Sequence, residues 1–138
     1  MSTEWTSDSL FYRQVNPNWL AGGVPSSQAF GPTPKDEDKL SVDDASKVSA
    51  EAAWRHFTEK LGLRSVGTWA VSLGDVEAAG ELVLAASPIV VAEDLAINNL
   101  AHCHVDFSQV SSKGRKRQKA QHLAMKATTR GCLYQPAG

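Results

Sequence analysis

The sequence predicts a single α+β domain over residues 1–138: a small mixed or antiparallel sheet with two main helices. Three observations carry this expectation. Short β-favouring runs stand near both ends of the chain, Leu10-Phe11-Tyr12-Arg13-Gln14-Val15 early and residues 101–107 late. Two segments, Ala50 to Leu61 and Ser112 to Arg130, repeat apolar residues at three- and four-residue spacing. Between them lies Val66 to Leu73, apolar on both faces and suited to a central strand.

At the N-terminus, residues 1–8 are polar and read as a loose tail. After the first strand, Asn16-Pro17-Asn18 is a turn signal that can cap a short helix over Trp19-Leu20, closed by Gly22-Gly23. Pro25, Gly31, Pro32 and Pro34 rule out a long helix over 24–39, which reads as a Pro-rich loop anchored by Phe30. Lys39 to Val42 reads as a brief strand. Ser49 is an N-cap, and Glu51 sits in the first turn, where the helix dipole favours an acid. Ala50, Ala53, Trp54, Phe57 and Leu61 form one stripe, Gly62 ends the helix and Leu63 packs back. Ser72 to Asp75 can cap a short helix ended by Gly80. Glu81 to Ala85 and Ile89 to Val91 are β-like pieces split by Ser87-Pro88. In the last helix, Ala120, Leu123, Ala124 and Ala127 form a buried stripe beside a basic one of Arg115, Lys119, His122, Lys126 and Arg130. Gly131 is a C′ residue, after which Cys132-Leu133-Tyr134 folds back.

Composition narrows the class. A hydrophobic fraction of 42% and a charged fraction of 21% are ordinary for a globular domain, and no apolar run approaches the roughly 18 residues that span a membrane. The N-terminus lacks the basic start and apolar core of a signal peptide, so a cytoplasmic location is expected, in which Cys103 and Cys132 stay reduced. The net charge of −1 conceals a split: residues 1–100 hold seven Lys and Arg against fourteen acids, while 101–138 hold seven against Asp106 alone. Such a split makes either a basic surface for an acidic partner or two halves that neutralise each other on folding. No GxGxxG, P-loop, GxSxG or HExxH motif is present, and no spacing suggests a catalytic triad.

The candidate site is His102-Cys103-His104-Val105-Asp106. On a strand, alternate residues share a face, so His102, His104 and Asp106 form one row with Cys103 and Val105 behind it. Two imidazoles and a carboxylate can hold a divalent metal such as zinc, iron or manganese, move protons, bind an anion, or simply line a polar face. The run is similar in part to the His-x-His-x-Asp-His motif of metallo-β-lactamase-fold hydrolases. Its sixth position is Phe107, however, and only His56 and His122 remain as further imidazoles, so that family is set aside.

Arg13 on the first strand and Ser41 on the next resemble ADP-ribosyltransferase-like folds, in which an arginine or histidine on the first strand holds the dinucleotide and a serine supports it. The resemblance implies phosphate held by the Arg13 fork, with Asp106 standing in for the family's late catalytic glutamate. The Tyr12-Arg13 pair, the Ser26-Ser27-Gln28-Ala29-Phe30 to Leu40-Ser41-Val42 loop and the late Ala101-His102 are also similar to a pattern in small bacterial proteins. That resemblance implies a bacterial cytosolic origin; an accessory role in a defence or toxin-related gene pair is a further expectation taken from it.

These residues support three functional expectations. The first is a protein-binding accessory protein, motivated by an incomplete catalytic set and by an acidic loop (Asp36, Asp38) opposed to a basic helix. The second is a nucleotide- or phosphoester-processing enzyme using Arg13, Ser41, His102, His104 and Asp106, with or without a divalent metal. The third, less favoured, is nucleic-acid binding through Arg115, Lys116, Arg117 and Lys119. Convergence of Arg13, Ser41 and the histidine row in one pocket separates the second from the first.

Overall fold

A computed structural model of the chain describes residues 5–32, 37–91 and 93–136. Its elements are β1 (Leu10–Gln14), β2 (Leu20–Ala21), β3 (Val24–Pro25), β4 (Lys39–Asp44), α1 (Ala50–Arg55), β5 (Thr68–Ser72), α2 (Leu73–Ala79), β6 (Val83–Ala86), β7 (His102–Asp106) and α3 (Lys113–Arg130). Five strands pair in the order β5-β1-β4-β7-β6, every pair antiparallel, and β2 and β3 make a separate hairpin. The fold is the expected α+β domain, with the sheet resolved as antiparallel and with three α-helices.

One face of the sheet builds the core. Phe11, Leu40, Val42, Val71, Cys103 and Val105 are buried there beneath Leu123, Ala124 and Ala127 of α3. The four apolar positions expected on α3 are the four that are buried. Ser112 caps α3 through the Arg115 N–H at 3.2 Å. The basic stripe beside them faces α2. Lys119 donates to Ala79 O at the end of α2, His122 Nε2 lies 3.2 Å from Asp75 O, and Arg130 reaches Asp75 Oδ2 at 3.0 Å. Carbonyls at a helix C-terminus and a carboxylate are natural partners for cations.

Of the Pro-rich loop, residues 24–32 carry more order than their prolines suggest; residues 33–36 lie outside the described residues. Ser26 caps a 3₁₀ turn, Ser27–Phe30, that packs against α3 and buries Ala29 and Phe30 completely. Phe30 is therefore the anchor expected of it.

The first helix differs from its expectation. It continues from Arg55 into a π-helical turn, His56–Lys60. A π turn inserts one residue into the helical count and rotates the residues after it. That rotation carries Leu61 out of the stripe begun by Ala53, so Leu61 is 37% exposed and Leu63 is 50% exposed instead of packing back. Ile89 to Val91 also differs, forming only an isolated bridge between Ile89 and Asn99. At the C-terminus, Tyr134 bridges to Thr68 and covers the β5 edge.

The α2 cap carries one testable consequence. Ser72 Oγ accepts from the Asp75 N–H and Asp75 Oδ2 accepts from the Ser72 N–H, a reciprocal capping box that Arg130 joins. Burial alone would raise the Asp75 carboxyl, but the Ser72 N–H and the Arg130 guanidinium outweigh it and hold the group below its ordinary 3.8. A depressed carboxylate stabilises the fold above its unfolded pKa and loses that contribution as pH falls through the folded one. Asp75→Ala is expected to cost about 1–2 kcal/mol at pH 7, with the deficit shrinking below 3.8. Urea titrations at the two pH values check it, and a pH-independent deficit contradicts the charge argument.

Candidate functional site

The second face of the sheet is only half covered. α1 lies over β5 and β1: Thr68 Oγ1 donates to Ala50 O at 3.2 Å, and Trp54 Nε1 donates to Ser65 O at 3.0 Å. Over β4 and β7 the face stays open: Ser41 is exposed, and Lys39, Asp43, His102, His104 and Asp106 are half-buried. The residues displayed there are set by register. Lys39 lies opposite Asp106, Ser41 opposite His104 and Asp43 opposite His102, while Ala85 and Val83 of β6 flank His104 and Asp106. The row of His102, His104 and Asp106 is thus on one half-exposed face, with Cys103 and Val105 buried behind it.

Each group has a distinct environment. His102 Nδ1 lies 2.9 Å from both Ser87 Oγ and Ser87 O. A carbonyl oxygen can only accept, so Nδ1 carries the proton and, in the neutral ring, Nε2 presents its lone pair. Burial lowers the His104 pKa, Lys39 adds to the effect, and Asp106 opposes it. The Ser108 N–H, donating to Asp106 Oδ1 at 2.8 Å, holds Asp106 below the usual carboxylate range. Asp43 is raised above its ordinary value by burial, against the Asn99 amide at 2.7 Å and the nearby His102, His56 and Arg13. Burial pushes the Cys103 thiol up to about 12, so it stays protonated and inert.

Arg13 and Ser41 do come together, through the backbone. Arg13 Nε donates to Ala29 O at 2.6 Å and Nη1 to Ser41 O at 3.1 Å, with the guanidinium 5.1 Å from the Trp19 ring centroid. The β1–β4 register runs only through Phe11 and Tyr12, and the Arg13 side chain ties the strands where that pairing stops. Arg13, Ser41 and His102 border one hollow of about 60 Å³ with Tyr12, Asp43 and Phe57. Beyond Asp43, a second hollow of about 210 Å³ is lined by His56, Asn99 and Lys47. His104 and Asp106 border neither hollow.

The expected divalent-metal set is not assembled. Among the described residues no group of three or more His, Cys, Asp or Glu side chains is placed to share an ion. Alternate residues on an extended strand stand roughly 6.5–7 Å apart, and His102 turns its Nδ1 toward Ser87. Nor does the basic helix present a continuous row of cations. Arg115 pairs with Glu81, Lys119 lies 3.5 Å from the same carboxylate, and Lys116 lies 3.1 Å from Asp38. The acidic first part of the chain and the basic last part therefore meet at these pairs. Asp36 lies outside the described residues.

Sequence reasoning did not join Asp43, Ser87, Asn99 or the two π-turn residues His56 and Phe57 to the histidine row. Asp43 was reachable: continuing the period of two from Lys39 and Ser41 puts it on the same face. Ser87 and Asn99 lie in irregular backbone near β7 and carried no local signal. Compared with protein-family models, curated proteins and solved structures, the chain matches none of them.

Proposed function

We propose that the chain acts by binding a protein partner, through the uncovered face of β4, β7 and β6. The observation that carries this is the arrangement of the polar groups. They stand in cross-strand rows on an open face, and the hollow shared by Arg13, Ser41 and His102 holds about 60 Å³, against roughly 300 Å³ at the lower end for small-molecule sites. Alternating His, Ser, Asp and Lys side chains, with Val83 54% exposed at the β6 edge, supply the mixed polar and apolar surface of a non-obligate interface. The resemblance to small bacterial proteins supports the setting, a cytosolic accessory protein of a defence or toxin-related gene pair.

Photo-crosslinking tests this. A photoreactive residue at position 104, expressed in native cells, is expected to give one discrete adduct that Ser41→Arg, directly opposite His104, abolishes. The same probe at Met125, exposed on α3, is expected to give none. Equal adducts at both positions, or none at 104, defeats the reading.

A further inference from the structure

We infer that a cavity between the Ser27–Phe30 turn and α3 binds a small phosphomonoester. The cavity holds about 310 Å³, the size of a small-molecule site. Among the described residues, Lys113, Lys116 and Arg117 line it, with Asp38 as the one acid and Ser27 and Gln28 as neutral hydrogen-bonding groups. Among these described residues, three cations against one carboxylate leave a surplus of two positive charges. A phosphomonoester carries about −1.5 to −2 at pH 7 and three acceptor oxygens, so it matches the surplus in sign and size.

The distribution of ion pairs along α3 separates this cavity from the rest of the helix. On the side facing α2, Arg115 and Lys119 meet Glu81 and Arg130 meets Asp75. On the cavity side, Asp38 meets Lys116 at 3.1 Å. Lys113 and Arg117 are exposed at the mouth. Arg117 supplies a planar fork suited to two phosphate oxygens, and Lys113 a mobile point charge. Apolar surface from Pro32 and Ala120 gives the ligand's organic part something to lie against. Nucleic acid fits less well, because Arg115 and Lys119, which would extend the cationic track, are paired toward α2.

The test uses the full chain and three phosphomonoester probes: inorganic phosphate, glycerol 3-phosphate and adenosine monophosphate. Glycerol and adenosine serve as unphosphorylated controls. Phosphorus NMR line shifts and thermal denaturation are the readouts. At least one of the two organic phosphates is expected to bind saturably and raise the melting temperature, with no effect of its control. Lys113→Ala/Arg117→Ala is expected to weaken binding at least tenfold, both side chains being exposed and outside the core. Lys126→Ala, a charge change elsewhere on α3, is expected to leave it unchanged. Overturning results are absence of saturable binding by all three probes, equal loss in the Lys126→Ala variant, or single-stranded RNA binding more tightly than any probe.

Discussion

Phe30→Ala is expected to destabilise the protein by about 3–5 kcal/mol, the range for emptying a buried phenylalanine site. Phe30 is 0% exposed and belongs to the central core cluster. It also closes the Ser27–Phe30 turn, which packs on α3 and offers Ala29 O to Arg13. Removing the ring therefore opens a cavity and frees a turn that braces two other elements. Domains of this size are stable by about 5–15 kcal/mol in all, so the loss is a large share of the total. Urea unfolding followed by tryptophan fluorescence measures it. Trp5 and Trp19 pack against the core cluster and Trp69 is buried within it. A loss under about 1 kcal/mol would mean that the Pro-rich segment merely decorates the fold.

Much of this architecture is legible in the sequence where the signal is local and periodic. The buried stripe of α3 could be read from four apolar residues because 18 residues of helix give the spacing room to repeat. The caps Ser49 and Ser72 could be read because a short polar side chain before a helical run has one economical use, an N–H of the first turn. The face shared by His102, His104 and Asp106 came from the period of a strand. What the row faces was illegible. Ser41 and Asp43 lie opposite His104 and His102 only because β4 pairs with β7, its distant neighbour in the chain, and register between such strands depends on the whole sheet. The π turn was illegible for a different reason: the sequence from Ala50 to Leu61 satisfies an α-helical stripe and carries no local signal for an inserted residue. The basic stripe of α3 looked like a surface for a partner because its acidic counterparts, Asp75, Glu81 and Asp38, are remote in sequence.

Arg13→Ala is the second large expected effect, a loss of about 2–4 kcal/mol from charged hydrogen bonds and the Trp19 contact. Arg13 holds Ala29 O and Ser41 O at once, so its loss leaves both carbonyls short of a donor beside the end of the β1–β4 pairing. Hydrogen exchange is expected to rise in β4 and in the Ser27–Phe30 turn, while α2 keeps its protection. Arg13→Lys separates geometry from charge. An ammonium on a shorter, flexible stem cannot bridge two carbonyls held in a fork, so lysine is expected to recover less than half of the stability. Were Arg13 a phosphate ligand, as the resemblance to ADP-ribosyltransferase-like folds implies, the opposite pattern would hold. Stability would change by less than about 0.5 kcal/mol, as for a surface substitution, and lysine would serve as an adequate cation. A strongly destabilised alanine variant with a weak lysine rescue makes Arg13 a brace. The half-buried site then begins at Asp43 and His102, which lie on the open face and border the same hollow.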